Sequence, residues 1–296
     1  MRRILGLLGG LAILGFGTFW FLTAPDPLPA DRFANLTPDP AHGQQVFTAA
    51  GCASCHMADG ASGDAQLMLS GGQKFPSAFG TFVAPNISPD PVHGIGAWSV
   101  QDLGNALQRG IGRNGEHLYP ALPYAAYQHM NPQDVADLHA YLQTLPPDAT
   151  PSPPHGLSFP FSLRRGIGVW KALFLDPEYA LTGDLSPDET RGRYIAEGLA
   201  HCAECHTPRN ALGGLDRSRW LAGAPDPSGR GTIPNITPAK LTWSPDDITE
   251  YLTSGFTPEF DSVGGHMAHV VENMSRLPQS DRAAVTAYLL RVAPLK

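Results

Sequence analysis

Two short motifs of the same form hold every cysteine of this 296-residue chain. They read CASCH, from Cys52 to His56, and CAECH, from Cys202 to His206. In each motif, two cysteines separated by two residues are followed at once by a histidine. This feature limits the possible structures most strongly, because two thiols one helical turn apart beside an imidazole serve only a few kinds of site.

Three kinds of site use such cysteine pairs. A thioredoxin-like redox motif is expected within a βαβ pattern, which the sequence does not show around either motif. A zinc ribbon places its pairs roughly 15–20 residues apart, whereas 146 residues lie between Cys55 and Cys202. The third kind is covalent c-type haem, in which both thiols bind the porphyrin and the adjacent histidine binds iron. We therefore predict two covalent haem c groups, with the attachment residues and proximal iron ligands Cys52, Cys55, Cys202, Cys205, His56 and His206.

The sequence around the motifs is repeated. Asn86 lies 31 residues after Cys55, and Asn235 lies 30 residues after Cys205. The segment AWSVQDLGNALQRGI of the first copy corresponds to TWSPDDITEYLTSGF of the second copy. In both segments, a serine after tryptophan predicts the start of an amphipathic helix. The segments NPQDVADLHAYLQTL and PQSDRAAVTAYLLRV then predict a final helix in each copy. The chain is thus predicted to contain two homologous units, 41–147 and 186–296.

The first residues indicate a membrane anchor. After MRR, the twenty residues from Ile4 to Thr23 carry no charge, and at about 1.5 Å per residue they match the hydrocarbon core of a bilayer. A cleaved signal peptide would have a shorter apolar region of roughly 7–15 residues. We therefore favour an uncleaved anchor over 1–24 and a linker over 25–40. Arg2 and Arg3 should remain in the cytoplasm, which places the haem units on the periplasmic side.

A connector joins the two haem units over 148–185. It opens with the proline-rich segment TLPPDATPSPPHG and continues with FPFSLRRGIGVWKALFL, which is apolar but contains three basic residues. We expect this second segment to pack across the interface of the two units, and contact with a membrane surface is the alternative.

The sixth iron ligand is less constrained than the proximal histidines. In the second unit both Met267 and Met274 precede the last helix, and we favour Met267 because two glycines ahead of it let backbone approach the porphyrin. In the first unit Met130 is the predicted ligand. It also stands directly before the start of the last helix, where an apolar residue packs as a staple, and Leu277 holds this place in the second unit. His129 as ligand and a five-coordinate iron are the remaining alternatives.

The chain resembles a known family. The order of a first CxxCH, PNISPD, GIGAWS, HLYPALPY and AYL, followed by a second CxxCH unit with GGHMAHVVENMS, is similar to the membrane-bound multihaem cytochrome c subunits of periplasmic dehydrogenases. Those dehydrogenases oxidise alcohols, aldehydes, sugars or sugar acids. The resemblance implies an all-α fold with two tandem cytochrome c-like domains after one transmembrane helix. In many relatives the stretch reads YPAMPY, with methionine where this chain has Leu122.

The resemblance also implies a function. We expect a dihaem cytochrome of the bacterial inner membrane that transfers electrons from a periplasmic dehydrogenase to quinone or to a downstream cytochrome or oxidase. The alternatives are a dihaem enzyme, similar to thiosulfate dehydrogenase or cytochrome c peroxidase, and a ligand-binding haem sensor. No catalytic residue is predicted, because the sequence contains no nucleotide-binding glycine pattern and no HExxH motif. A net charge of −7 and the lack of a run rich in lysine or arginine argue against nucleic acid as a partner.

Overall fold

The structure, a computed structural model, describes residues 2–227 and 231–296. Helices make up 43% of the chain. The α-helices are α1 (Arg2–Leu22), α2 (Pro40–Ala49), α3 (Cys52–His56), α4 (Val100–Arg109), α5 (Tyr124–Tyr127), α6 (Pro132–Leu142), α7 (Gly166–Phe174), α8 (Pro187–Arg193), α9 (Ala203–His206), α10 (Pro245–Ser254), α11 (His266–Ser275) and α12 (Gln279–Arg291). A π-helix, Tyr194–Leu199, continues α8, and 3-10 turns cover Gly63–Leu67 and Arg217–Arg219.

Helix is the predominant regular secondary structure, but at 43% it falls short of the all-α prediction, and the described residues also form two small antiparallel sheets that this prediction did not include. The first sheet has the order β1 (Lys74–Ser77), β2 (Gly80–Val83) and β3 (Gly156–Leu157), and the second pairs β4 (Ala224–Pro225) with β5 (Thr232–Ile233). The strands are two to four residues long, too short for the alternating apolar pattern that identifies a strand in a sequence.

In both units the first helix crosses the last helix at a glycine. A Cβ atom on Gly43 of α2 would lie 2.0 Å from the carbonyl oxygen of Asp137 in α6, and one on Gly192 of α8 would lie 1.9 Å from that of Ala284 in α12. Real Cβ atoms do not approach backbone so closely, so each crossing requires glycine. The two crossings are structurally equivalent. At each crossing a core tyrosine, Tyr141 or Tyr288, packs with its Cβ atom beside the glycine.

The predicted starts of α4 and α10 are confirmed. Ser99 and Ser244 are the N-caps, and each forms a reciprocal capping box with the aspartate three residues later. Both helices end at a glycine in the left-handed region, Gly110 with φ of 58° and Gly255 with φ of 78°. The repeat of the sequence is therefore a repeat of local structure.

The connector packs between the two units, as predicted from the sequence. The Lys171 ammonium group of α7 donates to the carbonyl oxygens of Arg109 and Gly110 in the first unit, at 2.6 and 2.7 Å. The indole of Trp170 donates to the carbonyl of Leu212 in the second unit, at 3.0 Å. These bonds link the end of α4 to the loop that follows the second haem motif.

The N-terminal helix α1 has 21 residues and exposes large apolar side chains along its length, among them Leu7 and Phe21. Its end is attached to the connector, where the Arg165 guanidinium lies 4.1 Å from the ring centre of Trp20 and donates to the Thr23 hydroxyl at 2.9 Å. Within the described parts of the chain, no helix combines the length and the apolar character that crossing a membrane requires. The transmembrane anchor thus stays a prediction.

Candidate haem-binding sites

Each CxxCH motif contains one short helix, and each motif directly follows a left-handed residue. Gly51, with φ of 64°, precedes α3, and His201, with φ of 43°, precedes the second motif. The helical turn places the two cysteines of a motif on one side. In both motifs the first cysteine is partly buried and the second is exposed, and all four thiols are free. The repeated geometry suits attachment of one flat group at each motif.

The proximal histidines are held by backbone carbonyls. Nδ1 of His56 lies 2.9 Å from the Pro85 oxygen, and Nδ1 of His206 lies 2.8 Å from the Pro234 oxygen. A carbonyl only accepts hydrogen bonds, so Nδ1 carries the proton and Nε2 keeps its lone pair for a metal. Burial lowers the pKa of both imidazoles, which favours the neutral form that binds iron.

A glycine supports each histidine from the following loop. The Gly71 amide donates to the His56 carbonyl at 2.7 Å, and the Gly223 amide donates to the His206 carbonyl at 2.8 Å. Both glycines have positive φ, 73° and 84°. A Cβ on Gly71 would lie 2.5 Å from the Ala84 carbonyl oxygen. The loop therefore packs directly on the segment that carries the proline carbonyl.

Pro85, Pro234 and both of these glycines were not predicted from the sequence as parts of the sites. The signal was present, since a proline precedes each of the repeated asparagines, Asn86 and Asn235. The asparagines themselves shape the turn, because each side-chain oxygen accepts from the amide two residues later at 2.8 Å. Their amide groups donate to carbonyls of the segment after the last helix of their own unit.

The chemistry of the thiols distinguishes haem attachment from the two other uses of paired cysteines. Burial raises the pKa of Cys52 and of Cys202 to about 12, so neither is the reactive thiolate of a redox motif. In the described residues, the one group of three potential metal-ligating side chains is His42, Asp134 and Asp137. It contains no cysteine, and a four-cysteine zinc site is therefore not formed there.

The two motifs adjoin across the interface of the units. Asn273 of α11 donates to the Ser54 hydroxyl inside the first motif at 3.0 Å. The rings of Tyr127 and His201 lie 5.7 Å apart in an edge-to-face arrangement. Burial raises the pKa of the Cys55 thiol to about 11, and the neighbouring Cys205 of the other motif adds to this rise. Groups attached at the two motifs are thus held next to one another by the same interface.

The candidates for sixth ligand occupy different environments. Met267 lies in the first turn of α11, directly after Gly265 with φ of 59° and His266, and is partly buried. Met274 is 3% exposed and Met130 is 2% exposed, and both belong to the hydrophobic core. His129 stacks on Tyr179 with ring centres 4.0 Å apart. The assignments of Met267 and Met130 as iron ligands stay predictions.

Comparison with known proteins identifies the family. The cytochrome c family model matches residues 40–146. A protein of Cereibacter sphaeroides named diheme cytochrome c-type is 56% identical over 299 aligned residues, which cover all of both chains. The fructose dehydrogenase cytochrome subunit of Gluconobacter japonicus is 38% identical over 93% of this chain and 55% of its own length. The gluconate 2-dehydrogenase cytochrome c subunit of Pantoea cypripedii is 30% identical over 87% of this chain and 62% of its own length.

The geometry of the two motifs and the similarity to known proteins lead to the same identification. Both motifs hold their cysteines and a neutral, oriented histidine in the arrangement that covalent haem requires, and the relative that matches along the whole chain is a dihaem cytochrome. The chain therefore belongs to the cytochrome c family, as a dihaem c-type cytochrome with two covalently bound haem c groups.

Proposed function

We propose that this cytochrome accepts electrons from a periplasmic dehydrogenase and delivers them to quinone or to a downstream cytochrome or oxidase. The observation that supports the proposal most directly is that contacts across the interface hold the two attachment motifs close together: Asn273 bonds to Ser54 of the first motif, and Tyr127 packs on His201 beside the second. A protein that only binds ligands needs no such contact, whereas a relay needs its two redox centres side by side.

The relatives support the choice of donor. The fructose dehydrogenase and gluconate 2-dehydrogenase relatives are named as cytochrome subunits of those enzymes. This chain spans 55% of the first and 62% of the second, so the dehydrogenase of this chain, its substrate and its electron acceptor are part of the proposal. The net charge of −7 suits a donor or acceptor with a basic docking surface.

The residues of this chain have a defined task in the relay. Haem supplies one-electron redox chemistry, and its potential depends on axial ligation, burial and hydrogen bonding. The Pro85 and Pro234 carbonyls orient the proximal imidazoles through bonds of 2.9 and 2.8 Å. Such bonds increase the basicity of an imidazole ligand and thereby stabilise the oxidised metal. The two sites have the same proximal geometry, so a difference between their potentials should arise on the distal side.

Membrane attachment through α1 is part of the proposal. The exposed apolar residues of α1, such as Leu7 and Phe21, would be covered by lipid, and Arg2 and Arg3 would remain on the cytoplasmic side. Extraction of membranes with alkaline carbonate and then with detergent tests this part. We expect the full chain in the detergent fraction, and a variant in which a cleavable secretory signal peptide replaces residues 2–22 in the soluble periplasmic fraction. Release of the full chain by carbonate would contradict the anchor.

Membranes from a strain that lacks this chain test the electron-transfer role. We expect fructose-, gluconate- or ethanol-dependent reduction of a soluble ubiquinone analogue to be lost for one of these substrates and restored by the wild-type chain. A variant with Cys202 and Cys205 both changed to serine should restore nothing, because it lacks the second haem.

Assays of the purified holoprotein test the alternative of a dihaem enzyme. Steady-state oxidation of thiosulfate or reduction of hydrogen peroxide, with a small dye as the second redox partner, would overturn the relay proposal if it occurred at many turnovers per second. Reduction of the haems by thiosulfate without turnover would leave the proposal intact, because any electron carrier can be reduced chemically.

A further inference from the structure

The loops before the last helix of each unit can be aligned through their hydrogen bonds. The Leu118 amide donates to the Gly110 carbonyl at 2.7 Å, and the Val263 amide donates to the Gly255 carbonyl at 2.8 Å. Each bond follows the left-handed glycine that ends α4 or α10. Leu118 and Val263 are therefore equivalent positions at which both loops begin.

From these positions, four residues lead to Leu122 in the first unit and to Met267 in the second. Both side chains are partly buried and pack against the core without belonging to it. Met267 is the predicted iron ligand of its unit. At the corresponding place, the first unit carries leucine, whose side chain has no donor atom for iron.

The end of the loop gives a second and independent alignment. The Met130 amide donates to the Tyr127 carbonyl at 2.9 Å, and the Leu277 amide donates to the Met274 carbonyl at 3.1 Å. The second loop is two residues longer between these fixed points, so Met267 corresponds to Leu122 when counted from the start and to Pro120 when counted from the end. In neither count does it correspond to Met130.

Met130 and Leu277 have the same structural role. They are 2% and 5% exposed, and both belong to the hydrophobic core directly before the last helix. The Met130 carbonyl accepts from the buried Gln108 amide at 2.6 Å, and the Leu277 carbonyl accepts from the buried Arg282 guanidinium. A methionine that ligates haem iron faces the porphyrin, whereas protein atoms enclose Met130 on every side.

His117, directly before this loop, and His129, within it, both contact other parts of the chain. Nε2 of His117 donates to the Thr23 carbonyl at 2.8 Å, while its Nδ1 accepts from the Lys171 ammonium group at 3.1 Å. The His129 ring stacks on Tyr179 with ring centres 4.0 Å apart. Neither imidazole is free to replace the missing thioether without breaking these contacts.

We propose that the haem attached at Cys52 and Cys55 receives no methionine ligand from the loop of residues 118–130, and that its iron binds a small exogenous ligand, such as carbon monoxide or cyanide, at the sixth position. The chain then has two unlike centres, a methionine-ligated second haem of higher potential and a first haem that is accessible to small ligands. This inference does not depend on which dehydrogenase is the electron donor.

Rapid mixing of the reduced holoprotein with carbon monoxide tests the proposal, together with the far-red thioether–iron absorption band of the oxidised protein. We expect the wild type to bind one carbon monoxide per chain at once and to show the band of one thioether-ligated haem. Met130→Leu should leave both readouts unchanged. This exchange nearly conserves volume and is therefore compatible with folding.

Met267→Leu is the matched variant in the second unit. It should abolish the thioether band and raise rapid carbon monoxide binding from one to two per chain. The proposal is overturned if the wild type binds no carbon monoxide on mixing, whichever residue then ligates the first haem. It is equally overturned if Met130→Leu halves the thioether band.

Discussion

The Tyr127 hydroxyl donates a hydrogen bond of 3.0 Å to the Ala50 carbonyl, two residues before the first haem-attachment cysteine. The ring of the same tyrosine lies edge to face against His201, directly before the second motif. The Tyr127 side chain thus connects the backbone just before the first attachment helix to His201, the residue just before the second motif. The distance between the two haem groups depends on contacts of this kind.

Tyr127→Phe should remove this bond, while the His201 imidazole remains a hydrogen-bond partner of the Ala50 backbone. We expect the free energy of unfolding to fall by about 0.5–1.5 kcal/mol. Urea unfolding of the holoprotein, followed by circular dichroism, measures the change. Electron exchange between the haems, followed by flash photolysis, should also slow because the interface loosens.

Tyr124→Phe, in the same short helix, is the control for this substitution. The Tyr124 hydroxyl is buried and has no hydrogen-bond partner in the described parts of the chain. Removing a buried hydroxyl that is not paired should leave the stability unchanged or increase it. Equal destabilisation by the two variants would show that the Tyr127–Ala50 bond does not contribute.

Gly71→Ala should disrupt the first haem site. The new Cβ would lie 2.5 Å from the Ala84 and Pro85 backbone, so the segment that carries the Pro85 carbonyl must move away from His56. Gly72→Ala is the matched control, since Gly72 has φ of 94° but a Cβ added to it would have no atom within 4 Å. Gly72→Ala should lower the free energy of unfolding by only about 1–2 kcal/mol, because alanine is disfavoured in the left-handed region.

The measurement for this pair of variants is haem content per chain together with the free energy of unfolding. We expect Gly72→Ala to retain two haems and Gly71→Ala to lose more stability and the correct ligation of the first haem. Similar behaviour of the two variants would mean that close packing against Pro85 is unimportant.

The sequence was sufficient to predict the features that depend on neighbouring residues. The haem motifs and the N-caps Ser99 and Ser244 follow from patterns within a few positions, and the repeat follows from finding the same patterns twice along the chain. The carbonyls that orient the histidines could not be predicted in this way, because Pro85 is 29 residues from His56. The same holds for the contact of Asn273 with Ser54, which lies 219 residues away in the sequence. Such contacts are determined by how the units pack.

Asp137 makes the first unit sensitive to acid. Its carboxylate accepts from the Asp39 amide at 2.7 Å and pairs with His42 at 2.8 Å. Burial acts to raise the pKa of Asp137, but these bonds and one from Gln133 outweigh it, so the pKa lies below the ordinary value. The stabilisation is therefore complete above pH of roughly 4, the pKa of an unfolded aspartate, and is lost as the pH falls through the folded value.

Asp137→Asn should lower the free energy of unfolding by about 1.5–3 kcal/mol at neutral pH, because hydrogen bonds to a buried charged group contribute about this much. The difference between wild type and variant should disappear in acid, as measured by urea unfolding at a series of pH values. Asp281→Asn is the control in the second unit, although Asp281 is not the structural equivalent of Asp137. Its side chain is more exposed than that of Asp137, 14% against 2%, and pairs with Arg191 at 2.8 Å, so the substitution should lower the free energy of unfolding by less than about 1 kcal/mol. A constant difference for Asp137→Asn across the acid range would contradict the assignment.

Removing the two haems separately should reveal that their irons differ. With Cys52 and Cys55 changed to serine, the chain should carry one covalent haem by mass spectrometry and keep the full thioether–iron band, because Met267 belongs to the second unit. With Cys202 and Cys205 changed to serine, one haem should remain but the band should vanish. If each double variant instead kept half of the band, both haems would be ligated by methionine, and Leu122 would not mark a difference between the two sites.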